Sequence, residues 1–386
     1  MKTCRQLATY AQAFNKEGDV RICGWLKHPE TIIGNLVKNE FPEIMHSAQA
    51  EKLRKMIATG DFSLCCNTCP FMEDKDRMEE MLVEYDTIPD YPSELSISFE
   101  QYCNYRCTCC ESHFQHIGEE ASEQKKIYDI IESRIRDALP YIKNIGGHGT
   151  AELFCSPRVL RLLSEWKPNA PQEECGTFLE TNGSLFNKKN WEKIENLGDY
   201  NLGVCITVMS FDDLTYQLLS GTNMPVAGLL DNLRFVRSLR EKGIINFIEL
   251  ATVVQEANFR DLPEFTRRCL EEFGADRVRL RPIFPGGIYD RNIQWFFDVR
   301  NPHHPYYSMY KKIMEDKVFD DPRVFKWKGD HDSGLGPHPV FTSDWPVNSA
   351  KGAMWKCARN ILPMGVSRSI EMKRGDVDKN GVRHRF

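Results

Sequence analysis

The sequence predicts an α/β protein built around a parallel sheet. From residue 95 onward, short β-rich runs alternate with amphipathic helical segments, which is the pattern of repeated βα units. Strands are predicted at 95–100, 142–146, 177–180, 203–209, 246–253 and 277–283. Helices are predicted at 122–139, 157–165, 187–196, 212–219, 227–242 and 261–273. Both flanking regions lack this rhythm, so we expect three units at 1–90, 91–290 and 291–386.

Composition narrows the class of protein. The 386 residues are enough for a large core, and the net charge of −5 comes without a long basic run. Neither nucleic acid nor a membrane surface is therefore an expected partner. No stretch resembles the apolar core of a signal peptide or reaches the ~20 apolar residues of a membrane span, so we expect a cytoplasmic protein. Fourteen cysteines in a reducing compartment favour metal–sulfur chemistry over disulfides.

Three closely spaced cysteines follow the first predicted strand of the βα region. Cys103, Cys107 and Cys110 form the pattern C-x3-C-x2-C, with no obvious fourth partner nearby. Three thiolates can hold three irons of a [4Fe–4S] cube and leave the fourth iron open to a substrate or cofactor. The alternatives are buried thiols or a zinc site, although zinc more often has four ligands in paired C-x2-C spacing.

A cysteine loop of this spacing after a β-strand resembles the signature of the radical S-adenosylmethionine (SAM) superfamily. The resemblance implies a partial (β/α)6 TIM-like barrel whose site lies at the C-terminal ends of the strands. It also implies SAM on the open iron and a 5′-deoxyadenosyl radical that abstracts hydrogen from a substrate carbon. The electron would come from an external donor such as flavodoxin or ferredoxin.

Two turns of the βα region add to this resemblance. The run Gly146-Gly147-His148-Gly149-Thr150-Ala151-Glu152 is similar to the family's GGE motif, which implies that Glu152 and Gly149 receive the amino group of SAM. Thr150 and Ala151 loosen the match, and an ordinary glycine turn remains the alternative. The run Glu180-Thr181-Asn182-Gly183 resembles the family's TNG turn, and this resemblance implies that Asn182 lies near SAM.

Later strands supply two further candidate contacts. Thr207 stands where family members often have serine, and Met209 stands where they have aspartate, so the carboxylate contact is missing. Arg279 could reach the SAM carboxylate through its forked guanidinium. The alternative is that the arginines of this strand face solvent or pair with helix carboxylates.

The N-terminal cysteines form a second set. Cys4, Cys23, Cys65 and Cys69 resemble the ligands of a SPASM or twitch auxiliary domain, which implies a second [4Fe–4S] cluster with a complete shell. Cys65 is preferred over Cys66. This domain follows the barrel in most family members, whereas here it comes first. A zinc knuckle with the same four ligands is the alternative.

The reaction is predicted from the remaining thiols and from resemblance to radical SAM epimerases of oligosaccharide or aminoglycoside antibiotics. Epimerisation needs a thiol hydrogen donor outside both clusters, and we assign Cys357, in an aromatic-rich C-terminal cap, followed by Cys155. Cys205 is interpreted as a core residue. A small-molecule or oligosaccharide substrate is therefore expected. The alternatives are a dehydrogenase acting on a carbinol, a peptide-modifying enzyme, or a non-catalytic iron–sulfur carrier or zinc scaffold.

Overall fold

A computed structural model describes most of the chain. The described residues are 2–24, 29–65, 69, 80–110, 122–147, 149–283 and 296–326. Cys66, His148, Cys357 and most of the predicted C-terminal cap lie outside them. The described residues form the mixed α/β fold with a parallel sheet that the sequence predicts.

Twelve strands are present in these ranges. They are β1 (Lys2–Cys4), β2 (Tyr10–Ala13), β3 (Asp19–Arg21), β4 (Ile32–Asn35), β5 (Leu82–Glu84), β6 (Glu94–Ile97), β7 (Asn144–Gly147), β8 (Gly176–Thr181), β9 (Asn201–Thr207), β10 (Phe247–Val253), β11 (Arg277–Arg281) and β12 (Val324–Lys326). Strands β1 and β5 form a small antiparallel pair, and the other ten form one sheet in the order β12-β11-β10-β9-β8-β7-β6-β2-β3-β4. From β12 to β2 every neighbouring pair is parallel.

Ten α-helices are described in the same ranges. They are α1 (Arg5–Thr9), α2 (Phe41–Met45), α3 (Ala48–Ala58), α4 (Ser122–Ala138), α5 (Pro157–Glu165), α6 (Lys188–Trp191), α7 (Asp213–Ser220), α8 (Val226–Glu241), α9 (Leu262–Glu271) and α10 (Tyr307–Ile313). In the described part of the chain, no helix is both long and apolar enough to cross a bilayer.

The predicted βα order is confirmed, and most boundaries agree within three residues. The largest difference is the helix predicted at 187–196, where α6 ends at Trp191 and a separate 3-10 turn covers Glu195–Asp199. Asn187 caps α6 through the amide of Asn190, and the indole of Trp191 is buried. The short helix is stabilised by burial of the Trp191 ring. The periodicity of the sequence does not show this end, so the predicted helix is five residues too long.

The N-terminal region joins the main sheet. Tyr10–Ala13 in β2 pairs in parallel with Glu94–Ile97 in β6, and β3 and β4 continue the sheet outward in antiparallel pairs. These three strands are not predicted from the sequence, because three- or four-residue runs carry little periodicity. The domain boundary at residue 90 stays a prediction, and the hydrogen-bonded ladder crosses it.

The central strands have two chemically different faces. Side chains alternate along a strand, and one set is buried and apolar, for example Leu179 in β8, Val204 in β9 and Leu250 in β10. The opposite set is polar or small. We call it the polar face; it consists of Ser96, Gly146, Glu180, Gly203, Cys205, Thr207, Glu249, Arg279 and Arg281, together with Phe178 and Phe247.

Candidate cofactor site at the carboxyl ends of the strands

The cysteine loop follows β6 and is held by the end of α7. The amide of Arg106 donates to the carbonyl of Ser220 at 2.8 Å, and the amide of Thr108 donates to the carbonyl of Leu219 at 3.0 Å. Two of the carbonyls that every helix leaves unpaired at its C-terminus are thereby satisfied by the loop. The loop and the helix end therefore form one hydrogen-bonded unit.

Gly221 allows this contact between helix and loop. It ends α7 in the left-handed region with φ +59°, and a Cβ atom there would lie 2.4 Å from the carbonyl oxygen of Arg106. Only glycine tolerates both the positive φ and the close approach. A residue far from the cysteines in sequence thus sets the path of the cysteine loop.

The three predicted cluster thiols influence one another electrostatically. Burial raises the pKa of Cys107 well above its ordinary value, and the neighbouring thiols of Cys109, Cys103 and Cys110 raise it further. Burial also raises the pKa of Cys103 to about 12, with smaller contributions from the Glu152 carboxylate and from Cys110. The amide of Cys110 also donates to the carbonyl of Cys107 at 3.2 Å, so these two cysteines share one turn, and the role of all three as ligands stays a prediction.

This donor set fits an iron–sulfur cube. The sulfur of Cys103 accepts a hydrogen bond from the amide of Tyr105 at 3.4 Å, a contact of the kind that tunes cluster sulfurs. In the part of the chain that the structure describes, no three His, Cys, Asp or Glu side chains are placed to ligate one metal ion. A cube does not require that placement, because each thiolate binds its own iron.

Glu152 lies beside this loop, but its carboxylate already has protein partners. It is fully buried and accepts the hydroxyl of Thr181 at 2.7 Å, the amide of Asn182 at 2.7 Å and the amide of Phe154 at 3.2 Å. Burial raises the pKa of this carboxyl, and these three hydrogen bonds oppose the shift. Three of its acceptor sites are thus occupied by protein donors, as a carboxylate buried this deeply requires, and its contact with a ligand ammonium stays a prediction.

Asn182 connects its turn to the cysteine loop. Its side-chain Nδ2 donates to Asn104 Oδ1 at 2.9 Å, and Asn104 Nδ2 donates to the hydroxyl of Ser184 at 2.9 Å. Ser184 completes the ring by donating to Asn182 Oδ1 at 2.6 Å. Asn182 is thus hydrogen-bonded to the cysteine loop, and its predicted place near SAM stays a prediction.

The other predicted cofactor contacts have different surroundings. Gly149 is exposed, and a Cβ there would lie 3.1 Å from Glu180 Oε2, while Thr207 ends β9 half-buried on the polar face. Arg279 donates to Glu249 Oε2 at 2.6 Å. The predicted alternatives for Arg279, solvent or a helix carboxylate, are therefore wrong: its partner is a carboxylate on the neighbouring strand.

The polar face also contains reactive groups that the sequence analysis missed. Cys205 is 1% exposed, yet its thiol donates to Glu249 Oε1 at 3.1 Å and accepts from Arg281 Nη2 at 3.3 Å. Cys205 is therefore buried, as interpreted, but its thiol contacts charged side chains. The sequence of β9 does indicate this position: Cys205 alternates in step with Gly203 and Thr207, whereas the residues between them are apolar and face the core.

Two of the predicted auxiliary ligands, Cys4 and Cys23, lie at the N-terminal strands β1 and β3. Cys4 ends β1, and burial raises the pKa of its thiol, with a contribution from the nearby thiol of Cys69. Cys23 follows β3, which runs back toward the start of β2, so it lies at the opposite end of the sheet from the cysteine loop. Cys65 is half-buried against the core. Their assignment as ligands stays a prediction.

The two predicted hydrogen donors fare differently. Cys357 lies outside the described residues. Cys155 is 6% exposed in the 3-10 turn Leu153–Cys155. Burial raises its pKa to about 12, with further contributions from Glu152 and Cys103. Cys155 is therefore a buried neighbour of the cysteine loop, and its catalytic role stays a prediction.

Comparison with known proteins finds one family match and several structures of low similarity. Residues 4–70 match the SPASM family, an iron–sulfur cluster-binding domain, and no curated protein matches the chain. Streptococcus suis SuiB bound to precursor peptide SuiA is 13% identical, over 84% of this chain and 72% of that chain, with a TM-score of 0.41. SuiB bound to S-adenosylmethionine is 13% identical, over 84% and 71%, with a TM-score of 0.37. Native anSMEcpe with bound AdoMet is 13% identical, over 61% and 62%, with a TM-score of 0.35. The family match covers all four predicted auxiliary cysteines.

Proposed function

We propose that the protein is a radical SAM enzyme with two [4Fe–4S] clusters. The observation that carries this proposal is the cysteine loop at the carboxyl ends of the parallel strands, which contains Cys103, Cys107 and Cys110 and is hydrogen-bonded to the end of α7. The SPASM match over residues 4–70 supports the second cluster, with Cys4, Cys23, Cys65 and Cys69 as its ligands. The fold proposed with it is the partial (β/α)6 barrel, enclosing the polar face.

The cluster residues would supply three thiolates and leave one iron for SAM. When bound, the cluster and SAM supply a 5′-deoxyadenosyl radical able to abstract a hydrogen atom from an unactivated carbon. The chain's own groups position and shield this site. Asn104, Asn182 and Ser184 tie the cysteine loop to the turn after β8, and Glu152 fixes that turn through Thr181 and the Asn182 amide. These contacts support a rigid cofactor site at the strand ends.

We propose epimerisation of a small-molecule or oligosaccharide substrate held against the polar face, with an external flavodoxin- or ferredoxin-like donor in the cytoplasm. A thiol facing the substrate radical can break its S–H bond while a C–H bond forms on the opposite face. One electron from the reducing system and one proton from solvent then restore the thiol. Cys205 faces the polar side and joins Cys357 and Cys155 as a candidate donor.

The first test is reductive cleavage of SAM by anaerobically reconstituted protein. We expect about eight irons per chain and 5′-deoxyadenosine that depends on Cys107. Cys107→Ala should abolish deoxyadenosine, whereas Cys109→Ala, in the same loop but outside the predicted ligand set, should keep it. Equal activity in the two variants would contradict the ligand assignment.

A second test separates the proposed epimerase from its alternatives. Turnover of candidate glycans, aminoglycosides and peptides in deuterated water should give a product of unchanged connectivity with one deuterium at the inverted carbon. Alanine at the donor, tested in turn at Cys357, Cys155 and Cys205, should then stop turnover while deoxyadenosine still forms; full turnover in all three variants would contradict the thiol step. A product that has lost two hydrogens would indicate dehydrogenation, and a modified peptide would indicate a peptide-modifying enzyme.

A further inference from the structure

Gln255 contacts the cysteine loop from the end of a neighbouring strand. It follows the last residue of β10 by two positions, at the carboxyl end of the sheet, where the cysteine loop also lies. Its side-chain Oε1 accepts the hydroxyl of Thr108 at 3.0 Å, and the two residues are only 0% and 3% exposed. Thr108 stands between Cys107 and Cys109 in the sequence. The side-chain amide of Gln255 is therefore held against the loop that carries the predicted cluster thiols.

This contact is fixed from both sides. The backbone amide of Thr108 donates to the carbonyl of Leu219 at the end of α7, at 3.0 Å. The backbone amide of Gln255 donates to Asn258 Oδ1 at 2.8 Å, and the carbonyl of Gln255 accepts the amides of Asn258 and Phe259 at 3.2 and 3.0 Å. The Gln255 side chain thus begins at a fixed backbone and ends on a fixed residue of the loop.

The other half of the Gln255 amide has no protein partner. Its Nε2 is buried, and among the residues that the structure describes no acceptor lies within hydrogen-bonding distance. Buried polar groups are nearly always paired, and a buried donor without an acceptor is destabilising. Because Nε2 and Oε1 are bonded to the same carbon, and Oε1 lies against the Thr108 hydroxyl, the unpaired N–H groups also lie beside the loop. This atom indicates an acceptor that belongs to the cysteine site.

An iron–sulfur cluster is an acceptor of the right kind. Cluster sulfurs accept N–H hydrogen bonds, and the sulfur of Cys103 already accepts one from the amide of Tyr105 at 3.4 Å. Three thiolates around a [4Fe–4S]2+ core carry a net charge of about −1, which one added electron makes about −2. A hydrogen bond to an anion strengthens with its charge, and more so in a buried site. An N–H donor therefore stabilises the reduced cluster more than the oxidised one.

We propose that Gln255 donates a hydrogen bond from Nε2 to a sulfur of the cluster held by Cys103, Cys107 and Cys110, and that this bond raises the reduction potential of the cluster. Gln255 is thus a positioning residue, whose Oε1 holds the loop while its Nε2 makes the cluster easier to reduce. Reduction adds one electron from the external donor and breaks no bond. This inference rests on the proposed function, because it needs a cluster at these three cysteines.

The test is a redox titration of the full-length, anaerobically reconstituted protein, followed by electron paramagnetic resonance. Gln255→Met keeps a side chain of similar length and removes the amide. At a fixed solution potential, we expect the ratio of reduced to oxidised cluster to fall about tenfold, which corresponds to a decrease of about 59 mV for a one-electron couple. Only the cluster whose signal changes with SAM should respond, and the iron content should stay at about eight per chain.

Two controls separate the effect of the amide from the position of the loop. Thr108→Val removes the hydrogen bond to Oε1 but leaves Nε2 in place, so it should shift the reduction potential less than Gln255→Met does. Gln217→Met alters an exposed glutamine of α7 that donates to Asp213 at 2.9 Å, and it should leave the potential unchanged.

Three results would overturn the inference. They are an unchanged potential in Gln255→Met, an equal shift in Thr108→Val, or a higher potential in Gln255→Met, which would mean that Oε1 faces the cluster. An unchanged potential combined with weaker SAM binding would assign Nε2 to SAM instead. If Gln255→Met does not hold iron, Gln255→Glu decides, because it keeps the shape and the acceptor for Thr108 but has no N–H donor. Its potential should also fall, and an unchanged value would overturn the inference.

Failure of this inference can be distinguished from failure of the proposed function. A normal SAM-responsive [4Fe–4S] signal with an unchanged potential in Gln255→Met would overturn only the role of Gln255. A wild-type chain that shows no SAM-responsive [4Fe–4S] signal would overturn the proposed function, and the inference with it.

Discussion

Replacing Gly221 with alanine tests whether α7 shapes the cysteine loop. The left-handed conformation at φ +59° costs a residue with a Cβ about 1–2 kcal/mol. The new methyl group would also lie 2.4 Å from the Arg106 carbonyl, against an ordinary contact of at least 3.4 Å, so the loop must shift by about 1 Å. That shift strains the two loop-to-helix hydrogen bonds, each contributing about 0.5–1.5 kcal/mol.

We therefore expect Gly221→Ala to lose about 2–5 kcal/mol of unfolding free energy if both bonds break. More specifically, it should lose iron at the three-cysteine site and with it deoxyadenosine formation. Unfolding free energy is measured by denaturant titration, and iron is measured after anaerobic reconstitution.

Gly243→Ala is the matched control. Gly243 also has a positive φ, +75°, and a Cβ there would meet no atom within 4 Å. It should lose only the ~1–2 kcal/mol of the left-handed conformation and keep its full iron content. If Gly221→Ala holds as much iron as Gly243→Ala and forms deoxyadenosine at the same rate, the reasoning about the helix end is refuted.

Three further substitutions test other parts of the account. Glu152→Gln replaces one acceptor oxygen by a donor that faces existing donors, and should cost about 1–3 kcal/mol by denaturant titration together with slower deoxyadenosine formation; unchanged values would remove its positioning role. Burial raises the pKa of the Glu132 carboxyl, but hydrogen bonds from Arg161 and Arg136 outweigh burial and hold the pKa below its usual range. The ionised carboxylate therefore stabilises the fold above about pH 4.5, and this stabilisation is lost as the pH falls through the lowered pKa of the folded protein. Glu132→Gln should therefore lose about 2 kcal/mol at pH 7 and progressively less in acid, whereas a constant difference would contradict the ion-pair explanation. Cys23→Ala should lower the iron content from about eight to about four per chain and leave SAM cleavage by the other cluster detectable; full iron would exclude Cys23 as a ligand.

The central sheet could be predicted because its signal is local. Apolar residues alternate regularly in β8 to β11 and recur with helical period in the segments between them, so these elements can be predicted from sequence. The cysteine loop can be predicted from the spacing of its cysteines. The strands β2, β3 and β4 could not be predicted, because each has only three or four residues and is stabilised mainly by pairing with β6 or with one another.

The candidate site was predicted in its cysteines and less well in its other groups. Glu152 and Asn182 were predicted only as cofactor contacts, and the hydrogen bonds that place them beside the cysteine loop could not be predicted, because their partners lie about 30 and 80 positions away in the sequence. The charged group on the polar face was missed because no single strand reveals it. Glu180, Cys205, Glu249 and Arg281 become neighbours only through the register of four strands.

The most direct test of the central claim is the electron paramagnetic resonance spectrum of the reduced cluster with and without SAM. The spectrum is best recorded on Cys23→Ala, in which the auxiliary cluster should be missing. An open iron held by Cys103, Cys107 and Cys110 predicts that SAM changes the g values of the signal. A [4Fe–4S] spectrum that stays the same with saturating SAM would mean that no iron is open to the cofactor, and it would contradict the account.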